Sequence, residues 1–391
     1  MRDDFKIIIK SFDDKKIKLK ASNSVSKDDF KDIKKGIKEL AITNGPTRIE
    51  NNALRNRQSM KKVELADSIE YIGDKAFYNC KELEDIYLPE NLSYVSLDAF
   101  YLCKSLKFNE YENGQYLGSK NNPYLLLMNV IDGEVEEFNI HPDCRFIFAL
   151  FAGTKIKEIN IPSKVKEIHD IAFGIGTSLE KINVDKDNPY FLSEDGVLYS
   201  KDKKTLLAIP YLRKEPYIIP IEVENIECKP FGYPYLNYNT SNRVYYLAKK
   251  DNPFFLCVGG NLSDEKEIKL ENGTEIIGPN AFVSSDYSVE KITFPNSVKV
   301  ISKNAFLKCW LKEVNLNDGL EYIGENAFLR TTHVKEYKLY PSIKEIGSKA
   351  FDADDMYMNA LFLFMGNEGQ FNKIKLGESA LKMKNVKFME E

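Results

Sequence analysis

The sequence predicts a β-rich solenoid built from coils of about 22–24 residues. The first observation is the dipeptide Ala-Phe, which recurs along the chain and ends at Phe77, Phe100, Phe173, Phe282, Phe306, Phe328 and Phe351. The second is its spacing, because the last four of these phenylalanines are 24, 22 and 23 residues apart. The third is a run of apolar residues at fixed offsets before each pair, as in Ile86-x-Leu88-Pro89-x-x-Leu92-x-x-Val95. A fixed period in this range is typical of a right-handed leucine-rich-repeat coil, in which each repeat forms one turn.

Each coil contains two apolar segments. It begins with a short alternating run, such as Leu83-x-x-Ile86-x-Leu88, which predicts a strand. A second apolar set, such as Ile69 and Ile72, returns along the opposite side before Ala-Phe turns the corner into the next coil. We expect the small Ala to fit the tight inside of that corner and stacked Phe rings to fill the core behind it. Because no coil buries its inner face alone, the array needs a cap at each end.

The repeat also predicts the domain organisation. Residues 1–36 are expected to form an N-terminal cap, with a hairpin around Ile7–Ile9 and Ile17 and a short amphipathic helix that starts at Ser26. Residues 37–358 form the repeat array, with insertions near 109–135, 185–217 and 232–266. Residues 359–391 form an incomplete last repeat and a C-terminal cap. Length alone favours two or three domains, but the repeat favours one unit.

The repeat pattern resembles that of a known family. The segment Ile292–Cys309, which reads ITFPNSVKVISKNAFLKC, is similar to the BspA-type, or Treponema pallidum-type, leucine-rich repeat. The segments Asp187–Ser200 and Tyr116–Leu127 resemble insertions that interrupt many arrays of this family. The resemblance covers most of the chain, from Ile37 to Phe351. It implies a surface protein of bacteria or some protists that binds host matrix proteins, other bacteria or glycans, without catalytic residues.

Charge and hydropathy make several function classes improbable. The 59 acidic and 55 basic residues nearly cancel to a net charge of −4, so no global field attracts nucleic acid or an anionic membrane. The first residues include acids and lack an apolar core, which predicts no secretory signal. The most apolar stretch, Ala360–Met365, is too short for membrane insertion. We therefore expect a soluble, cytoplasmic chain, and the cell-surface or secreted location implied by the resemblance is the alternative.

The six cysteines and three histidines predict no metal site, cofactor or catalytic site. Cys80, Cys103 and Cys309 each stand three residues after a corner Phe, a position that Thr331 takes in another copy. We interpret them as buried, reduced thiols in a structural column, with a disulfide between Cys80 and Cys103 left open. The other cysteines lack the spacing of a zinc site. The histidines His141, His169 and His333 fall in separate coils and are interpreted as surface residues, since His169, for example, follows the inward Ile168. We therefore expect no enzyme.

The residues between the apolar positions of each first strand are expected to face the concave side. One column contains Lys61, Glu84, Lys157, Glu180 and Lys312, and the next contains Lys62, Asp85, Glu158, Lys181 and Glu313. These columns mix both signs, so opposite charges can pair across neighbouring strands. They lack the aromatic and Arg anchors that dominate binding hot spots, and we interpret this face as a solvated structural surface.

The insertions have a different composition and supply the candidate partner-binding residues. These are seven tyrosines: Tyr111, Tyr116, Tyr233, Tyr235, Tyr238, Tyr245 and Tyr246. Tyrosine interleaved with Asn, Gly and Ser is suited to recognition, since its ring gives a large rigid contact at small entropic cost. The alternative is that the rings fasten the insertions onto the flank of the solenoid.

The sequence therefore predicts a non-catalytic protein-interaction module. It presents a repeat surface and tyrosine-rich insertions to a protein partner, with a glycan as a further partner class and with no nucleic acid. The first alternative is a cell-surface adhesin that binds an extracellular matrix protein or glycan. The second is an enzyme whose array only scaffolds a site in the insertions.

Overall fold

Successive coils stack their strands side by side in each of two compact units. The computed structural model describes residues 6–11, 16–20, 23–33, 36–169, 172–174, 177–215, 217–228, 238–263, 265–283, 289–352 and 360–390. The first unit comprises residues 1–172 and 184–190, and the second comprises residues 173–183 and 191–391. Both are β-solenoids, which confirms the predicted fold class. The division into 1–36, 37–358 and 359–391 stays a prediction.

The first unit consists of short strands and two 3₁₀ turns. Its strands are β1 (Lys6–Ser11), β2 (Lys16–Lys20), β3 (Ser24–Val25), β4 (Ile37–Ile42), β5 (Arg48–Ile49), β6 (Lys62–Glu64), β7 (Tyr71–Ile72), β8 (Asp85–Tyr87), β9 (Tyr94–Val95), β10 (Asn109–Tyr111), β11 (Gly114–Leu117), β12 (Leu126–Val130), β13 (Glu137–Asn139), β14 (Phe146–Ile147), β15 (Glu158–Ile161) and β16 (Glu167–Ile168). The 3₁₀ turns are Lys27–Phe30 and Leu97–Phe100.

The second unit also consists mainly of short strands, and β17 lies at its first boundary. Its strands are β17 (Lys181–Val184), β18 (Phe191–Glu194), β19 (Val197–Ser200), β20 (Thr205–Ala208), β21 (Asn225–Ile226), β22 (Asn239–Ser241), β23 (Val244–Lys249), β24 (Asn252–Gly260), β25 (Glu267–Lys269), β26 (Ile276–Ile277), β27 (Lys291–Thr293), β28 (Val300–Ile301), β29 (Glu313–Asn315), β30 (Tyr322–Ile323), β31 (Glu336–Leu339), β32 (Glu345–Ile346), β33 (Leu361–Phe364), β34 (Lys375–Leu376) and β35 (Val386–Phe388). Its described helices are α1 (Glu368–Phe371) and the 3₁₀ turn Met383–Asn385.

Each regular coil contributes one strand to each of two parallel stacks. In the first unit, β4, β6 and β8 form the first-side stack, and β3, β5, β7 and β9 form the second-side stack. The hairpin of β1 and β2 pairs antiparallel with the edge of β4, which covers that edge as predicted. The helix expected from Ser26 onward is shorter than predicted, because only Lys27–Phe30 forms a 3₁₀ turn. Residues 34–35 of that prediction lie outside the described residues.

The Ala-Phe corner is the core of the repeat. Phe306 stacks between Phe282 and Phe328 at ring-centroid distances of 5.4 and 5.1 Å, and Phe328 stacks on Phe351 at 5.3 Å. The Ala of these corners is buried. The residue before it has a left-handed backbone, with φ between 53° and 57° at Asn280, Asn304, Asn326 and Lys349. Asn adopts this conformation more readily than most residues, which explains its recurrence before Ala-Phe.

The cysteine column lies directly behind the corner. The Sγ atoms of Cys80, Cys103 and Cys309 donate to carbonyl oxygens one coil earlier, at 3.3, 3.1 and 2.8 Å. Thr331 donates its hydroxyl to the carbonyl oxygen of Phe306 at 2.9 Å, which is the same bond in the next coil. All six cysteines are free and buried, which agrees with the interpretation of Cys80, Cys103 and Cys309 as buried, reduced thiols. Burial raises the pKa of the Cys144 thiol to about 12.

Three antiparallel meanders interrupt the regular coils. We call β10–β12 the first meander, β18–β20 the second meander and β22–β24 the third meander. The last strand of each pairs parallel with the next second-side strand, so β12 joins β14, β20 joins β21 and β24 joins β26. Each meander therefore takes the place of one second-side strand, and its first two strands project from the stack.

Candidate partner-binding site

Each meander is fastened by one buried tyrosine on its middle strand. The register of the pairing shifts immediately before Tyr116, Tyr199 and Tyr246, which is a β-bulge at the same place in all three. These rings are 0%, 2% and 0% exposed. The hydroxyl of Tyr116 accepts the backbone N–H of His141 at 3.1 Å, and that of Tyr246 accepts the N–H of Glu271 at the same distance. The hydroxyl of Tyr199 lies 3.1 Å from that of Tyr217.

Burial of Tyr116 and Tyr246 alters the candidate surface predicted from the sequence. A fully buried ring is not available to a partner, so these two residues hold the meanders onto the coils, as the alternative interpretation states. Burial also raises the pKa of both hydroxyls far above the usual range, and they remain neutral donors and acceptors. The sequence contained a signal for this. Adjacent residues of a regular strand point to opposite faces, which favours an inward orientation for one of Tyr245 and Tyr246.

Tyr111 belongs to an aromatic cluster around the fastened tyrosine of the first meander. Its ring contacts His141 edge to face at 4.5 Å and Tyr124 at 5.9 Å. Tyr124 stacks on His141 at 3.8 Å. His141 is partly buried, which lowers the pKa of its imidazole, and its Nδ1 accepts the backbone N–H of Asp143 at 3.0 Å. Tyr111 is thus only partly exposed, and it supports the meander as much as it presents a surface.

Tyr238 and Tyr245 form the candidate site on the third meander. Tyr245 is the outward neighbour of buried Tyr246 on β23, and Tyr238 stands just before β22. Their rings meet edge to face at a centroid distance of 6.2 Å. Both are partly buried against the apolar cluster that contains Leu247. Tyr233 and Tyr235, also predicted for this site, lie outside the described residues.

Hydrogen bonding holds the strands under this pair in place. The side-chain amide of Asn239 donates to the carbonyl oxygen of Pro253 at 2.9 Å and so ties β22 to the start of β24. Asn109 makes the equivalent bond to Pro123 in the first meander at 3.0 Å. Where the first meander has Tyr111 against His141, the third has hydroxyl and amide groups of Ser241 and Asn242 bonded to Glu271. The two aromatic rings therefore sit on a rigid support.

The first-side stacks carry the charge ladders predicted from the sequence. Lys312 pairs with Glu290 at 3.0 Å, and Lys291 pairs with Glu313 at 2.9 Å. In the first unit Lys107 pairs with Glu84 at 2.7 Å. Hydrogen bonds from Asn315 and Lys291 hold the pKa of Glu313 below its usual value. These exposed pairs neutralise much of the face and contribute little to stability.

Comparison with protein families decides the identity of the fold. The family described as "BspA type Leucine rich repeat region" matches this chain in six copies, at residues 11–120, 136–194 and 261–359. These ranges together cover more than half of the chain. The chain belongs to the BspA-type leucine-rich repeat family. This confirms the family that the sequence resembles.

Solved structures of leucine-rich repeat and related proteins align with most of this BspA-type chain at low identity. A leucine-rich repeat protein from Eubacterium ventriosum is 20% identical over 90% of this chain and 83% of that one, with a TM-score of 0.34. A leucine rich cell surface protein from Faecalibacterium prausnitzii is 17% identical over 87% and 92%, with a TM-score of 0.25. The pneumococcal vaccine antigen PcpA is 18% identical over 87% and 79%, with a TM-score of 0.27. The comparison with curated proteins found no match.

The BspA-type coils also carry two arginine–tyrosine ladders that sequence reasoning missed. The guanidinium of Arg48 lies 3.8 Å from the ring centroid of Tyr71, which stacks on Tyr94 at 4.8 Å. Seven residues later in the same coils, a second ladder joins Arg55, Tyr78 and Tyr101. The signal was the repeat itself, because the members of each ladder are 23 residues apart. Tyr and Arg are the residue types that anchor protein interfaces.

A third exposed aromatic group lies in the second unit. Trp310, the single tryptophan of the chain, is 41% exposed and stacks on His333 at 4.4 Å. Here too the two rings are 23 residues apart.

Nothing among the described residues groups three or more His, Cys, Asp or Glu side chains in a way that could hold a metal ion. In the described part of the chain, no helix has the length and hydropathy to cross a membrane.

Proposed function

We propose that this chain is a non-catalytic protein-interaction module and that the third meander contacts its protein partner. The observation that carries the proposal is the pair Tyr238 and Tyr245, two partly exposed rings held edge to face on a hydrogen-bonded meander. Because their neighbour Tyr246 is fastened in the core, the rings are ordered before binding and lose little entropy on contact. Tyr233 and Tyr235 precede them in the chain and belong to the same proposal.

Membership of a repeat family supports a module that works by binding. Coils of this kind present side chains on extended faces, and the apolar pattern that recurs in each coil serves packing. The charge ladders of the first-side stacks are already paired, so they offer few free anchors. The third meander has a different composition, and we expect it to supply the recognition residues.

The second candidate function is an adhesin that binds an extracellular matrix protein or glycan. The two arginine–tyrosine ladders of the first unit favour this candidate, since exposed Tyr and Arg side chains are typical interface anchors. Tyr101, the outermost ring of the second ladder, is 58% exposed.

A quantitative binding assay separates the two candidates. Immobilised protein is titrated with purified collagen, fibronectin and laminin, with a glycan array, and with partner proteins isolated by affinity capture. Under the first proposal, Tyr238→Ala and Tyr245→Ala each weaken binding by about 1–3 kcal/mol and leave the melting temperature unchanged. Tyr101→Ala is the matched control, because it removes a more exposed tyrosine from the other unit.

The opposite pattern supports the adhesin. If Tyr101→Ala abolishes binding to a matrix protein and the third-meander variants do not, the ladder is the contact surface. If Tyr238→Ala and Tyr245→Ala instead lower the melting temperature and leave binding intact, these rings are structural and the first proposal is wrong.

A further inference from the structure

The first and third meanders differ in the residue to which the fastening tyrosine is bonded. Tyr116 accepts the backbone N–H of His141, and Tyr246 accepts that of Glu271. In the third meander the Glu271 carboxylate accepts two hydrogen bonds, one from β22 and one from the turn that follows it. In the first meander the same position carries an imidazole, which is the side chain that changes its charge near neutral pH.

The contacts of His141 require the neutral imidazole. Its Nδ1 accepts the backbone N–H of Asp143 at 3.0 Å, and a ring nitrogen accepts a hydrogen bond only when it carries no proton. The ring stacks on Tyr124 at a centroid distance of 3.8 Å, and the ring of Tyr111 meets it edge to face at 4.5 Å. The imidazole thus joins the first meander to the segment that precedes β14.

Two charged side chains act on the imidazole, and they oppose each other. Asp143 favours the protonated ring, whereas Lys164, from the segment before β16, disfavours it. These two side chains form an ion pair, which weakens the attraction that the carboxylate exerts on a proton. Glu112, at the turn between β10 and β11, acts on the tyrosine hydroxyls of the same meander. Partial burial outweighs these charges and lowers the pKa of His141.

We propose that protonation of His141 loosens the first meander, which is fastened at neutral pH and mobile in mild acid. The protonated Nδ1 and the N–H of Asp143 would face each other as two donors, so the segment around His141 has to shift. This segment supplies the N–H that holds Tyr116 and the ring that contacts Tyr111 and Tyr124. Its shift therefore acts on all three tyrosines at once. The failure of this device would leave the contact proposed for the third meander unaffected.

The sign of the pH dependence follows from the lowered pKa of His141. In the opened meander the imidazole regains its ordinary pKa of about 6.5, so the opened state binds a proton more readily than the fastened state. The fastening is therefore fully present above about pH 6.5 and weakens as the pH falls below this value. The weakening levels off once the pH is below the pKa of His141 in the fastened state.

Hydrogen exchange measured by mass spectrometry tests the proposal on the intact protein. Rates are compared between about pH 7.5 and pH 5 and corrected for the intrinsic pH dependence of amide exchange. We expect the protection of residues 109–130 to fall by about threefold or more, whereas residues 239–260 of the third meander change by less than about twofold. A parallel NMR titration of labelled histidine rings should place the midpoint of His141 below about 6.5.

Variants assign the effect to one imidazole. His141→Asn should remove the pH dependence, because the Asn side-chain oxygen can accept the N–H of Asp143 in place of Nδ1 and does not titrate. Lys164→Gln should raise the midpoint of His141, since it removes the opposing cation and frees the carboxylate, and Asp143→Asn should lower it. Lys155→Gln is the matched control and should leave the midpoint unchanged, because Lys155 is paired with Glu134 and does not act on the imidazole.

Several results would overturn the proposal. A midpoint of His141 at or above about 6.5 would mean that the fastened state does not disfavour the protonated ring. Equal loss of protection in the His141→Asn variant, or in the third meander, would show a general effect of acid. If His141→Asn does not fold, the other two variants still decide the question. Midpoints that fail to move in opposite directions in Lys164→Gln and Asp143→Asn would contradict the proposed arrangement.

Discussion

Tyr337→Phe is expected to stabilise the second unit. The Tyr337 ring is fully buried and packs against Phe362 at 5.6 Å and Phe351 at 4.7 Å, yet its hydroxyl has no hydrogen-bond partner among the described residues. A buried polar group without a partner costs about 1–3 kcal/mol. Phenylalanine keeps the ring and removes the unpaired oxygen, while the small void left behind costs a few tenths of a kcal/mol. The net expectation is a gain of about 1–2 kcal/mol in the free energy of unfolding.

Two tyrosines of the same chain serve as matched controls for this change. Tyr116→Phe and Tyr246→Phe also delete a buried hydroxyl, but each of these accepts a backbone N–H at 3.1 Å. Their loss leaves that N–H unpaired and should destabilise the local coil by about 1–3 kcal/mol. Hydrogen exchange measured by mass spectrometry resolves each region separately, and urea unfolding gives the global value. If Tyr337→Phe is neutral or destabilising while both controls are destabilising, the Tyr337 hydroxyl is bonded in solution and the reasoning fails.

Two further predictions concern the core. Phe306→Ala should lower the free energy of unfolding by about 3–5 kcal/mol, because it removes a fully buried ring from the middle of a stack. Amide exchange should accelerate around residues 281–328 before global unfolding. Unchanged exchange in these residues would contradict the corner assignment. Iodoacetamide at pH 8 should leave Cys144, Cys228 and Cys257 unmodified in the native protein and label them fully in denaturant. The reason is that burial raises the pKa of each thiol to about 12, so that little thiolate is present. Rapid labelling of the native protein, detected by mass spectrometry, would show that these thiols are accessible.

Most of the fold could be predicted because the repeat restates the same physical requirement in every coil. The spacing of Ala-Phe gave the coil length and the stacked core, and the column of Cys80, Cys103 and Cys309 gave its second layer. The left-handed residue before Ala was visible as a recurrent Asn at positions 280, 304 and 326, although its role depends on backbone angles that a pattern does not display. The length of the N-terminal helix predicted from Ser26 was overestimated, since amphipathic spacing over one or two turns does not decide between a 3₁₀ turn and an α-helix.

The candidate site was less predictable, because the exposure of a side chain depends on local backbone irregularities that the repeat pattern does not encode. Composition drew attention to Tyr116 and Tyr246, but a bulge before each ring turns it inward, and a bulge has no apolar signature.

The shared fastening of the three meanders has a consequence for how such a chain can diversify. In each meander a tyrosine that follows a bulge attaches the middle strand through its hydroxyl, and in the first and third an Asn-to-Pro bond ties the base. Exposed strand residues such as Glu110 and Thr240 are not part of those bonds. Their identity can therefore drift, or be exchanged between meanders, while the coils underneath keep the same register. Such a scaffold separates the positions at which substitution would disrupt the attachment from those at which substitution is tolerated.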